Sequence, residues 1–257
     1  MSINRTGPAA VGFALLIMQA HPGVANAAEL KVLCSTGIKA VIEELVPQFE
    51  ASSNHRVVVT YDLAANLRRQ IDAGQPFDVA ILTPPLMDDA IKQGAIATAS
   101  RTMIAQTGLA VMIKAGGRRA DISTVEAFRR ALVGAASVIY AREGASGVAF
   151  AALVERLGIA GDLKPKSTLA ATADEVGQSV VSGAVELGIL PVSEILPVRG
   201  AELLAPFPAG AQSYIIMVGG VSAAAKQADA AADFLKFLTS PAALPVITKK
   251  GMERTAR

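Results

Sequence analysis

Leu30-Lys31-Val32-Leu33-Cys34, then Ser35-Thr36-Gly37, then Ile38-Lys39-Ala40-Val41-Ile42-Glu43-Glu44-Leu45-Val46-Pro47-Gln48-Phe49: the reading of this stretch decides the fold. The first five residues are a short apolar run suited to a strand. In the last twelve, Ile38, Val41, Ile42, Leu45, Val46 and Phe49 recur at i, i+3, i+4, i+7, i+8 and i+11, which is one face of a helix. Between them lies a small polar turn. A strand, a polar turn and an amphipathic helix form the repeating unit of an α/β protein with a mainly parallel sheet. Pro47 has no amide hydrogen to give to the helix, so a kink or early stop is expected there.

Working outward, the unit recurs. A β-branched strand is expected over 56–61, a helix over 67–73 and a strand over 77–82. Pro84-Pro85 opens a helix that Gly94 can close. A strand over 108–113 ends at Gly116-Gly117, and the rhythm then restarts. Ser123-Thr124-Val125-Glu126 and Thr172-Ala173-Asp174-Glu175 read as capping boxes, each opening a helix. Strands are expected over 138–140, 185–190 and 214–218, and helices over 148–157, 228–238 and after Ser240-Pro241. Two βα runs split near 108–117, with a strand and helices left over at the end, predict two lobes. Residues 28–109 and 214–257 form lobe I and residues 110–213 form lobe II, with the last helices packing on lobe I.

Composition narrows the function classes. The 257 residues are 52% hydrophobic and 18% charged, too apolar for a disordered chain. A formal charge of +2 without a basic block argues against nucleic acid as a partner. One cysteine, Cys34, permits neither an intrachain disulfide nor a multi-thiolate metal site. Residues 1–27 carry one cation, Arg5, an apolar run over 9–20 and then Ala25-Asn26-Ala27. That run is short of the ~20 residues of a membrane span, and the small residues suit signal-peptide cleavage before Ala28. An exported, periplasmic protein is expected.

Enzymatic signatures are scarce. The two histidines are His21, inside the expected leader, and His55, in a polar turn. There is no Gly-x-Ser-x-Gly elbow, phosphate-binding P-loop or dinucleotide fingerprint, and no cofactor is expected. What remains is a set of small polar loops between a strand end and a helix: Ser35-Thr36-Gly37, Asp62-Leu63-Ala64-Ala65-Asn66, Glu143-Gly144-Ala145-Ser146-Gly147 and Ala171-Thr172-Ala173. Ligands of open α/β sheets bind outside such strand ends. Helix N-termini there offer unpaired amides and partial positive charge to an anion. The same residue types also serve simply to cap helices. A secreted enzyme on a similar fold and a ligand sensor are the competing readings.

Several segments are similar to the periplasmic molybdate-binding family of ABC importers: Leu67-Arg68-Arg69-Gln70-Ile71, Gly74-Gln75-Pro76-Phe77-Asp78-Val79, Val181-Ser182-Gly183-Ala184-Val185-Glu186-Leu187-Gly188-Ile189 and Phe234-Leu235-Lys236-Phe237-Leu238-Thr239-Ser240-Pro241. Ser193-Glu194-Ile195-Leu196-Pro197-Val198 resembles a less-characterised subgroup. The resemblance implies a type II periplasmic-binding-protein fold, with two α/β lobes joined by two crossover segments. It also implies a monomer that closes on a small oxyanion, holds it with hydroxyls and backbone amides, and passes it to a membrane permease.

Carried over residue by residue, the family's first ligand loop falls on Cys34–Gly37, with its ligand serine at Gly37 and Ser35 and Thr36 beside it. Its second ligand serine falls on Ala64, next to Ala65. Its amide positions fall on Ala145, Ser146 and Gly147 and on Thr172 and Ala173. Its tyrosine falls on Pro191, two residues before Ser193. Two or three side-chain ligands of that family are therefore replaced here. A lost hydroxyl on a desolvated anion costs ~1.5–3 kcal/mol, about tenfold to a hundredfold in affinity. Asp62 would add negative charge and Arg142 could offset it.

Overall fold

The computed structural model describes residues 1–2 and 28–254, so the expected leader lies outside the described residues. The opening unit forms as its pattern requires. Strand β1 (Glu29–Ser35) leads through a tight turn at Thr36–Ile38 into α1 (Lys39–Ser53), whose Val41, Ile42, Leu45 and Phe49 are buried. Pro47 does not stop α1, which runs on for six more residues. It sits on the exposed face, as does Glu43, where water can take the carbonyl left without an amide partner. Then follow β2 (Arg56–Asp62), α2 (Ala64–Asp72), β3 (Val79–Leu82) and α3 (Pro84–Lys92).

Strand β4 (Thr102–Lys114) is longer than expected, beginning six residues before Gly108. After it come α4 (Val125–Gly134), β5 (Val138–Ala141), α5 (Ala145–Arg156), α6 (Ala160–Leu163), β6 (Ser167–Ala170), α7 (Ala173–Ser182), β7 (Leu187–Pro191) and α8 (Val192–Ile195). The chain ends with β8 (Ala201–Pro206), β9 (Tyr214–Val221), α9 (Ala228–Leu238) and α10 (Leu244–Lys249). Among the described residues no single helix is long and apolar enough to cross a membrane.

The strands lie in the order β2-β1-β3-β9-β4-β7-β5-β6, with β8 also on β4. β1, β2 and β3 pair in parallel, as do β5, β6 and β7, while β4 is antiparallel to β7, β8 and β9. β4 changes partners midway. Thr102–Gly108 pairs with β9, while Leu109–Met112 pairs with β7 and Ala110–Lys114 with β8. At the change, Gln212 accepts hydrogen bonds from the Leu109 and Ser213 amides, both at 2.9 Å, and donates to the carbonyls of Leu109 and Phe207. One side chain thus laces together the two points at which the chain passes between the halves.

The capping predictions hold with small shifts. Thr172 accepts the Glu175 amide at 3.1 Å, but Glu175 reaches back to the Ala171 amide at 2.7 Å. In the other box Thr124, not Ser123, is the cap, accepting from Ala127 at 3.1 Å. The Ser123 amide is instead taken by Asp121 at 2.9 Å, a local turn that moves the helix start on by one residue.

Asp78 explains why the Gly-x-Pro-x-Asp segment belongs where it is. Its carboxylate, 6% exposed, accepts from the Lys31 amide at 2.9 Å and the Lys226 amide at 3.2 Å. It ties β1 to the entry of β3 and to the chain leaving β9. The last helices close over this half: α9 packs on β9 and both α9 and α10 on α1. Close approach also requires Gly147, since a Cβ there would fall 1.6 Å from the Ala141 carbonyl oxygen. Gly147→Ala is expected to lower stability in urea unfolding by about 2–4 kcal/mol. Gly134→Ala, where a Cβ meets nothing within 4 Å, is expected to be neutral or stabilising by up to about 1 kcal/mol.

Candidate functional site

In both halves parallel strands deliver their carboxyl ends to helix starts, and these ends face one another across a cleft of about 630 Å³. The first half contributes Thr36 after β1, Lys39 and Glu43 of α1, and Tyr61, Asp62 and Leu63 at the end of β2. The second contributes Thr172, Ala173, Asp174 and Gln178 around the start of α7, Ser193 and Glu194 of α8, and Arg199 beyond it. The two sides touch. Ser193 donates its hydroxyl to the Gly37 carbonyl at 3.0 Å, and its amide donates to Thr107 Oγ1 at 3.3 Å.

Of the residues singled out from sequence, Thr36, Thr172, Ala173 and Ser193 line this cleft. Ser35, Gly37, Ala64, Ala65, Ala145, Ser146, Gly147 and Pro191 are not among its lining residues. Gly37 lies just behind it, where an added Cβ would stand 2.4 Å from Met217 Cε and 3.8 Å from Glu194 Oε1. Ser35 and Ser146 are 5% and 6% exposed. Around Ser146 the two halves meet again, because a Cβ on Gly144 would lie 3.7 Å from Ser146 Oγ and 4.0 Å from Leu63 Cδ2. Leu63 thus sets an apolar group between the α5 terminus and the β2 loop. Arg142 is exposed and does not line the cleft.

Asp62 faces the cleft but is already satisfied. Its Oδ1 accepts from the Leu63 amide and from Asn66 Nδ2, both at 2.7 Å, and its Oδ2 accepts from Gln70 Nε2 at 3.2 Å. The carboxylate thus lies beside the start of α2 and holds side chains of that helix, while none of the hydrogen bonds it accepts comes from the Ala64, Ala65 or Asn66 amide of the first turn. Lys39 forms an ion pair with Glu43 at 3.2 Å and lies 5.7 Å from the centre of the Tyr61 ring. Both members of that pair are half exposed, so it holds them weakly. Among the described residues Arg199 has no ion-pair partner.

Sequence reasoning missed Lys39, Tyr61, Asp174, Glu194 and Arg199. Lys39, Asp174 and Glu194 sit in the first turn of a helix that follows a strand end, and that position was the available signal. Glu194 matters most. Burial, and then the nearby charge of Asp174, push its carboxyl up to about 7. Burial likewise raises Tyr61 and Cys34, which keeps the thiol protonated and unreactive. Among the described residues no group of three or more His, Cys, Asp or Glu is placed to hold a metal ion.

A sequence profile of the family described as bacterial extracellular solute-binding protein matches residues 30–253. An aconitate isomerase of Pseudomonas sp. is 26% identical over 230 residues, covering 87% of each chain. A molybdate-binding protein of Azotobacter vinelandii is 25% identical over 175 residues, covering 66% of this chain and 68% of that one. The solved structure of the Azotobacter vinelandii periplasmic molybdate-binding protein superposes with a TM-score of 0.74 at 20% identity, covering 88% of this chain and all of that one. The fold is the type II periplasmic-binding-protein fold.

The Glu194 carboxyl sets a pH dependence of stability. With its folded value raised from 4.5 to about 7, the folded chain holds this proton more tightly than the unfolded one. Stability is therefore lost as pH rises from about 4.5 through 7. Glu194→Gln, which cannot ionise, is expected to match the parent in thermal unfolding at pH 4 and to exceed it at pH 8 by up to about 3 kcal/mol. An equal difference at both values would mean that the carboxyl titrates in its ordinary range.

Proposed function

This chain belongs to the bacterial extracellular solute-binding protein family, and from that premise we propose that it is the periplasmic receptor of an ABC importer for a small anion. The observation carrying the reading is the cleft in which strand ends and helix starts of both halves meet around Lys39 and Arg199. We take residues 28–109 with 214–257, and 110–213, as the two closing bodies, hinged where Gln212 laces the crossovers. A ligand touching both bodies favours the closed state by its differential affinity. The receptor then presents its closed form, as a monomer, to a membrane permease. Export follows from the expected leader.

Within the anions, the cleft favours a small organic carboxylate over a bare tetrahedral oxyanion such as molybdate or tungstate. Its volume of about 630 Å³ lies in the range used for small organic ligands. Ser35 and Ser146 do not line it, and Asp62 brings a carboxylate to its wall. Arg199 offers the planar fork that suits a carboxylate. A second reading has support of its own. The relative named aconitate isomerase is an enzyme, and a cleft carboxyl poised near neutrality has the balance needed to move a proton.

Thermal unfolding and calorimetry with molybdate, tungstate, sulfate, citrate and cis- and trans-aconitate test these readings. A true ligand at a hundred times its Kd adds about 2.7 kcal/mol, a rise in Tm of roughly 5–10 °C for a chain of this size. Arg199→Ala is expected to weaken that ligand at least about tenfold. No shift with any of these anions would remove the anion receptor. Interconversion of the two aconitates followed by NMR, and lost in Glu194→Gln, would replace it with the enzyme.

A further inference from the structure

Glu194 stands in the cleft in a way that a receptor for anions must accommodate. Its helix is anchored on two sides by Ser193, to Gly37 and to Thr107, so the carboxyl cannot swing away with a loop. Oε1 faces the turn after β1, and the group has neither an ion-pair nor a hydrogen-bond partner among the described residues. The other charged groups that line the cleft with it come from several elements. Asp174 is on α7, Lys39 and Glu43 on α1, Asp62 on β2, and Arg199 follows α8. The other elements packed on α8 bring no free acid or base to this spot. β7 carries no titratable residue, the turn after β1 carries none, Lys114 stands at the far end of β4, and Glu202 of β8 is engaged by Arg119.

An ionised Glu194 would set a second negative charge against an arriving anion inside a partly desolvated cleft. The neutral acid would instead supply an O–H donor where the family's hydroxyls are missing. Resting on the anion reading above, we infer that Glu194 meets the ligand as a neutral acid, hydrogen-bonding an anionic ligand oxygen, so that binding takes up one proton from solvent. Glu194 is then a specificity-determining residue: it selects ligands that present an acceptor oxygen at this spot and makes capture stronger in acid. Asp174 is exposed, so the proton resides on Glu194, the more deeply placed of the two acids. An incoming negative charge tightens its hold further.

Titration calorimetry of the full mature chain with molybdate and, separately, trans-aconitate decides the matter. Each is run at pH 6.5, 7.5 and 8.5 in two buffers of different ionisation enthalpy. Above pH 7.5 the affinity should fall about tenfold per pH unit, and the buffer dependence should count close to one proton taken up. Glu194→Gln should abolish both the slope and the proton uptake, and Asp174→Asn should move the onset of the slope to lower pH. If Glu194→Gln does not fold, the parent's proton count and the Asp174→Asn shift carry the test. A probe that binds without proton uptake, or a slope that survives in Glu194→Gln, overturns the inference and leaves the receptor standing. Absence of binding by both probes at every pH removes the anion reading and this inference with it.

Discussion

One strand serves two sheets, and the rest of the molecule follows from that. β4 gives its first half to β9 and its second half to β7 and β8, so neither half of the protein can complete its sheet without it. Backbone amides and carbonyls buried without partners are costly. Pairing along β4, which shifts register between Met103 and Ala105 and between Val111 and Met112, therefore joins both halves with narrow crossings between them. Gln212 sits at those crossings and satisfies four backbone groups at once. The facing strand ends, and hence the cleft, are a consequence of this arrangement.

The segments that carry the family likeness do structural work. Asp78 spends its carboxylate on two backbone amides that join β1, β3 and the chain beyond β9. Arg68, 6% exposed, is held by Asp72 and Gln93. Gly188 is pressed by Met112 and Val180 on β4 and α7. Such residues preserve a scaffold while the cleft changes, and so the scaffold can be shared with proteins that take different solutes. The cleft itself departs from a hydroxyl-lined oxyanion site. Its polar character comes from Lys39, Arg199, Asp174 and Glu194, with Asp62 turned inward onto its own helix.

Much of the fold was legible in the chain. Buried faces in α/β units write themselves as period-3.6 and short apolar runs, so α1, α3, α9, β1, β2 and β9 were expected close to where they lie. The first half of β4 was not, because Thr102–Thr107 mixes polar and apolar residues and gains its partner, β9, from more than a hundred residues later. Strand β8 was missed for a related reason: only one of its six residues is buried. At the candidate site, the loops after β1, β2 and β6 border the cleft, whereas the 143–147 loop does not line it. Which side chains of those loops face the cleft was not legible.

By itself the sequence determined the βα alternation, the placement of polar turns at strand ends and the scarcity of histidine and cysteine. These depend on residue type and local periodicity alone. The tertiary structure decided that Asp62 spends its carboxylate on the Leu63 amide and the Asn66 and Gln70 side chains, that Ser35 and Ser146 stand outside the cleft lining, and that Glu194 lies inside with Asp174 as its neighbour. The contact that pins Glu194's helix runs from Ser193 to Gly37, 156 residues apart. A charge environment assembled across such a distance is set by the packing of two halves, and no local pattern can encode it.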